Sequence, residues 1–174
     1  LIRQQITNPL NMDSTCMNTP ACLRRRGKDL AQGYHKDEDT GELIAVPPSQ
    51  MGMLAGSGGL ISNVNDLNLM LRVLTGQSSS EFAEAAAELN RKLLHMAKTD
   101  LAVGYAHKIR RTPAGFELHY KAGLVAGYTA VMFWQQEPKV GLVIIANRGK
   151  LRPLFATGRR LIAVIARELW RSNR

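Results

Sequence analysis

With 174 residues, 45% hydrophobic and 21% charged, the chain has the composition of a globular protein and the length of one domain with a core of its own. No apolar run approaches the roughly 18 residues of a membrane span; the longest, Val140 to Ala146, has the length of a strand. The net charge of +9 would suit an anionic partner, but the basic residues are scattered, no aromatics are interleaved at stacking spacing and no nucleic-acid fingerprint is present, so a solvated basic face is the better reading than a nucleic-acid or membrane-surface binder.

The first residues, Leu1-Ile2-Arg3-Gln4-Gln5, carry neither a basic lead-in nor an apolar signal core. They read as the inside of a helix that ends before Pro9, and the expectation is a chain that starts inside a domain. Residues 1 to 50 are punctuated by Asn8-Pro9, Thr19-Pro20, Pro47-Pro48 and the polar turn Asp37 to Glu42. Such a stretch wraps over a core rather than forming one.

Cys16 and Cys22 flank a turn-like segment. A disulfide, with a periplasmic or secreted setting, and two free thiols are both open from the spacing alone. His35, His95, His107 and His119 have no zinc-ligand spacing with each other or with the cysteines, and no metal or cofactor is expected. The glycine patch Ala55 to Leu60 is not followed by the Gly-Lys-Ser/Thr of a phosphate loop.

Beyond it, Asn63 is placed to cap a helix, with Asp66 reaching back, Val64, Leu67, Leu71 and Leu74 on one face and Gly76 at the end. A second helix is expected from Ser80 to Ala97, burying Phe82, Ala86, Leu89, Leu93 and Met96. From residue 101 the period falls to two. Strands are expected from Val103 to Ile109, Phe116 to Tyr120, Gly127 to Gln135 and Val140 to Ala146, with Arg110-Arg111 in a turn. The last strand is apolar enough for the middle of a sheet. Short connections favour antiparallel pairing. A final helix starts near Pro153 and presents Leu154, Leu161, Ile165 and Leu169 to the sheet. The order predicts an α+β fold, with a helical and loop region over 1–100 and an antiparallel sheet plus C-terminal helix over 101–174, both parts of one domain.

One segment can carry chemistry: Lys121-Ala122-Gly123-Leu124 at the end of an apolar strand. A cation on a rigid strand end can bind a carboxylate or depress the pKa of a neighbouring hydroxyl. The glycine admits a ligand close to the backbone, and the N–H groups after it can stabilise an oxyanion.

Lys121-Ala122-Gly123 resembles the Lys-Thr-Gly triplet of serine β-lactamases and penicillin-binding proteins. Four further stretches resemble the class C branch in the right order. They are Asn8 to Thr15, Leu30-Ala31-Gln32-Gly33-Tyr34, Gly58-Gly59-Leu60 through Asp66-Leu67, and Gly127-Tyr128 followed by Gly141 through Asn147-Arg148. The resemblance implies part of the β-lactamase/transpeptidase-like fold, in a D-alanyl-D-alanine carboxypeptidase or β-lactamase of the bacterial envelope, periplasmic or secreted.

It also implies acyl-enzyme formation on β-lactams, D-Ala-D-Ala peptides or related esters and amides, hence a small-molecule or peptide substrate with a carboxylate. In that scheme Lys121 supports the nucleophile cluster and the substrate carboxylate, and the Leu124 N–H serves the oxyanion hole. Ala122 and Gly123 line the substrate, and Asn147 and Arg148 steer an anion. Ala122 departs from the family in lacking the threonine hydroxyl, and Asn11 stands where the family has glycine. The Ser-x-x-Lys nucleophile motif does not occur in these residues, so the chain alone is expected to be inactive. The rival reading is a non-catalytic binding or interaction module on the same scaffold. A partial fold is also expected to self-associate or to hold a missing N-terminal half.

Overall fold

The computed structural model describes every residue except 50, 79, 97, 98, 173 and 174. A single helical turn, Arg3–Thr7, stops before Pro9 as expected. β1 (Cys16–Met17) leads to α1 (Pro20–Arg26), where Thr19 caps the Cys22 N–H and Pro20 fills the first helical position. Cys16 and Cys22 are joined in a disulfide, with Cα atoms 6.1 Å apart, which ties β1 to α1.

β2 (Gly33–Lys36) and β3 (Leu43–Val46) form a hairpin around the polar turn. There Asp37 accepts bonds from the Thr40 amide and hydroxyl and from the Asp39 amide, which hold its carboxyl below the ordinary range. A 3-10 stretch, Gly52–Ser57, runs into the glycine patch and delivers β4 (Leu60–Ile61) to pair with β1.

α2 (Val64–Leu74) has the expected ends: Asn63 Oδ1 accepts the Asp66 N–H at 2.9 Å, and Gly76 beyond the helix takes a left-handed φ of +69°. Asp66 does not reach back to Asn63. Its carboxylate turns to residues 14 and 15 instead. Val64, assigned to the buried face, is exposed.

The helix expected over 80–97 is shorter. A 3-10 turn opens α3 (Ala83–Asn90), which ends where the Asn90 side chain is taken by tertiary bonds: its Nδ2 donates to the Leu74 carbonyl, and its Oδ1 accepts from Trp134 Nε1. The chain then straightens into β5 (Leu94–His95), leaving Leu89, Leu93 and Met96 exposed rather than buried. Ala97, the expected helix end, lies outside the described residues.

β6 (Leu101–Val103), β7 (Lys108–Arg111), β8 (Glu117–Val125), β9 (Tyr128–Gln135) and β10 (Val140–Ala146) complete an antiparallel sheet in the order β10-β9-β8-β7-β6-β5. The strand expected from Val103 to Ile109 is a hairpin, because Ala106 adopts a left-handed φ of +57° and the Gly104 N–H closes on the His107 carbonyl. Arg110 and Arg111 end β7 rather than forming a turn. β10, expected in the middle of the sheet, lies at its edge.

α4 (Leu151–Ser172) covers one face of the sheet. Its buried positions are Gly158, Ile162 and Ala166; Ile162 and Ala166 stand one step after the predicted Leu161 and Ile165, which are exposed along with Leu169, while the predicted Leu154 does pack on the core. A one-residue step turns an α-helix by about 100°. The difference comes from close packing at Gly158, where an added Cβ would stand 2.5 Å from Phe133 Cε2. Phe133 and Val131 are fully buried there, with Leu118, Val140, Tyr120 and Phe155 around them. α2 packs on the opposite face, where Leu71 and Leu74 meet Trp134.

Candidate active site

β8 is longer than β7, and that difference shapes the site. β7 pairs with Glu117 through Tyr120 only, so Lys121 to Val125 overhang with β9 as their single neighbour. The hairpin joining β8 to β9 has a two-residue turn, Ala126-Gly127, closed by the pair Val125 and Tyr128. In such a hairpin the closing pair is hydrogen-bonded, and bonded pairs alternate along the ladder. The peptide groups of Val125, Gly123 and Lys121 therefore point to β9. Those of Leu124 and Ala122 point the other way, to the side where β7 has ended.

Lys121 is exposed, and no carboxylate pairs with it among the described salt bridges. An added Cβ on Gly123 meets nothing within 4 Å. Leu124 is 52% exposed. The four residues proposed from the sequence thus lie together on one open sheet edge, with an ammonium and an outward N–H three residues apart.

The tip of this hairpin is fastened from a distance. Gly127 sits at φ +76° against Val46 and Gly33, and an added Cβ would come within 2.9 Å of Gly33 Cα. The Tyr128 hydroxyl donates to the Ala31 carbonyl at 2.7 Å, and burial pushes its pKa up, which keeps the donor proton in place. Asn147 Nδ2 donates to the Gln32 carbonyl at 2.9 Å, and the Tyr34 N–H donates to the Asn147 carbonyl at 3.0 Å. Thr129 Oγ1 donates to the Arg148 carbonyl at 2.8 Å. Three of the stretches singled out in the sequence, at 30–34, 127–128 and 147–148, are thus one cluster. Asn147 and Arg148 lie behind the hairpin tip, and the Asn147 amide is taken by the Gln32 carbonyl just before β2. Arg148 is half-buried, with its Nε out of contact with any acceptor among the described residues.

The other two stretches form a second clamp. Asp66 is buried, and its Oδ2 accepts from the Ser14 N–H at 2.9 Å and the Thr15 hydroxyl at 2.7 Å, while Thr15 also bonds Ser62 at 2.7 Å. This holds the loop of residues 8–15 on the start of α2.

Sequence reasoning missed two histidines beside the site. His119 lies two positions before Lys121, on the same face of β8, and its Nδ1 is 3.0 Å from His107 Nε2. A period of two was enough to put His119 with Lys121. His107 was out of reach because the turn at Ala106 was read as strand.

The sequence profile of the Beta-lactamase family matches residues 1–167. The fold is similar to that of an octameric penicillin-binding protein homologue from Pyrococcus abyssi, with a TM-score of 0.75 and 22% identity over 94% of this chain and 36% of the other. It is also similar to a D-alanine carboxypeptidase from Burkholderia cenocepacia (TM-score 0.75, 18% identity, 94% of this chain and 54% of the other). A class C β-lactamase from Rhodobacter sphaeroides gives a TM-score of 0.72 at 18% identity, over 96% of this chain and 53% of the other. An unguisins hydrolase of Aspergillus campestris is 36% identical over 66 residues, which are 38% of this chain and 12% of that protein. The chain spans about a third to a half of the length of these three structures and a smaller part of the hydrolase.

Proposed function

Because the chain belongs to the Beta-lactamase family, we propose that it supplies one wall of a serine hydrolase site in which an acyl-enzyme forms on a β-lactam, a D-Ala-D-Ala peptide or a related ester or amide. The nucleophile is a serine outside these 174 residues, since no Ser-x-x-Lys occurs within them. Its hydroxyl adds to the substrate carbonyl and its proton passes to the leaving nitrogen or oxygen as that bond breaks. The Leu124 N–H donates to the oxyanion of the tetrahedral intermediate, and the N–H of the serine is the second donor. The Lys121 ammonium supports the serine cluster and attracts the substrate carboxylate. Ala122 and Gly123 leave room for the substrate along the overhang, and Asn147 and Arg148 act from behind the hairpin tip on its position and its field. Ala122 offers no hydroxyl to that carboxylate, which favours substrates bound through the ammonium alone.

The observation that carries this reading is the overhang of β8, which puts an exposed ammonium and an outward-pointing Leu124 N–H on the same open edge. The Cys16–Cys22 disulfide supports an oxidising location, periplasmic or secreted. No helix among the described residues is long and apolar enough to cross a membrane.

A fluorescent penicillin and a fluorophosphonate probe test the reading. The chain alone is expected to stay unlabelled, and the longer protein to be labelled on one serine. In the longer protein Lys121→Ala is expected to slow acylation roughly a hundredfold, the effect of one charge-assisted contact made in the transition state, with an unchanged unfolding midpoint. Labelling of a serine within this chain would overturn the assignment of the nucleophile. A longer protein that takes up neither probe would make the scaffold a binding module.

A further inference from the structure

We propose that His107 and His119 form an acid-sensitive latch that joins the β6–β7 turn to β8 and so positions the Lys121 edge. The two rings are nearly sealed from solvent, at 6% and 1% exposure, and lie 5.2 Å apart between centroids. Trp134 stacks on His119 at 5.5 Å and lies tilted against His107 at 5.0 Å.

The protons on the pair follow from their partners. His107 Nδ1 is 2.9 Å from the Tyr105 carbonyl, which only accepts, so Nδ1 carries the proton. In the neutral ring Nε2 is then a bare acceptor, and His119 Nδ1–H donates to it at 3.0 Å. Carbonyl, ring and ring form a one-way chain running from β8 to the turn that precedes β7.

A first added proton leaves the chain connected, with a proton on His119 Nε2, but places a cation in a nearly dry, aromatic slot. A second turns His107 Nε2 and His119 Nδ1 into facing donors, and the link breaks. Charged groups around the slot come from several elements. Lys121 and Glu117 stand on β8, Lys92 before β5 pairs with Glu117, and Glu88 on α3 accepts from the Tyr105 hydroxyl and pairs with Arg91. On the remaining sides Trp134 of β9 is backed by Leu74 of α2. Burial pushes His119 down to about 4, and the neighbouring His107 adds to the drop; burial and then Lys121 push His107 down as well.

The sign follows from linkage. Both rings are neutral in the folded and unfolded states well above the free imidazole value of about 6.5. Below it the unfolded chain binds protons that the folded chain refuses, so stability falls with pH across the window from about 6.5 to about 4 and levels off beneath it.

The test uses the chain itself. Nitrogen-resolved NMR titration follows His107 and His119, with a free imidazole as the reference, beside urea unfolding and amide protection at Tyr120, Lys121 and Gly123. In the wild type His107 and His119 are expected to stay neutral through the free imidazole range. Across that window the folded-to-unfolded ratio is expected to fall on the order of a hundredfold, and the three amides to lose protection in step. H107Q/H119Q, whose amides can bond each other without titrating, is expected to lose that dependence. Protonation of both rings in the free imidazole range, or β8 amides that hold their protection while the pair titrates, would overturn the latch. The wild-type titration decides the matter even where the double variant does not fold.

Discussion

β9 and β10 lie side by side, yet the less apolar of the two is the better buried. β9 carries Thr129, Trp134 and Gln135 and still has Val131 and Phe133 at 0% exposure. β10 reads Val-Gly-Leu-Val-Ile-Ile-Ala, and its Ile145 is 36% exposed. Thr129 and Trp134 are engaged, while the buried Gln135 Oε1 has no partner among the described residues. Thr129 bonds the Arg148 carbonyl, Trp134 bonds Asn90, and the strand has a partner on each side. β10 is covered by α2 and α4 on its faces, but one of its long edges has no strand against it among the described residues. Burial is set by how many sides of a strand are occupied and only secondarily by its own hydrophobicity.

The sharpest way to break this comparison is at its centre. Phe133→Ala removes a fully buried ring packed against Tyr120, Phe155 and Gly158, and is expected to cost about 3–5 kcal/mol in urea unfolding. A loss no greater than that of Ile145→Ala would mean that the two strands are equally well held.

The next probe leaves the sheet alone. Asp66→Ala removes the acceptor for Ser14 and Thr15 and leaves the Ser14 N–H unpaired, at an expected cost of about 1.5–3 kcal/mol. The expected mark of a clamp rather than a core residue is early loss of amide protection at residues 12–15, ahead of β9. Simultaneous loss would make the clamp part of one cooperative unit with the sheet.

The smallest expected effect falls on the edge. Ile145→Lys is expected to shift the unfolding free energy by no more than about 0.5 kcal/mol, because the side chain already reaches water. It is also expected to reduce association in light scattering, since a charge on an edge strand opposes the addition of another strand. A large loss of stability there would show that the β10 edge is covered in solution.

Much of this was legible in the residues. The cap at Asn63, the glycine after α2 and the bounds of β10 follow from local chemistry. The Lys121 to Leu124 segment was legible as open backbone but not as strand: the strand expected to end at Tyr120 runs on to Val125. Three things were not. α3 stops at Asn90 because its side chain is drawn off by Leu74 and Trp134, a tertiary effect that helical periodicity does not encode. The β6–β7 turn depends on a left-handed alanine, Ala106, where composition offers no marker. The buried row of α4 is fixed by the fit of Gly158 to Phe133, which outweighs the larger side chains one step away. In the site, the overhang of β8 was invisible because it depends on where β7 ends.

The fastening of the β2–β3 hairpin bears on how the protein comes off the ribosome. Ala31 and Gln32 receive their bonds from Tyr128 and Asn147, 97 and 115 residues later. At synthesis rates of about 5–20 residues per second, the first fifty residues wait on the order of ten seconds for the strands that hold them. A pause in translation before residue 128 lengthens the time for which that segment lacks these bonds.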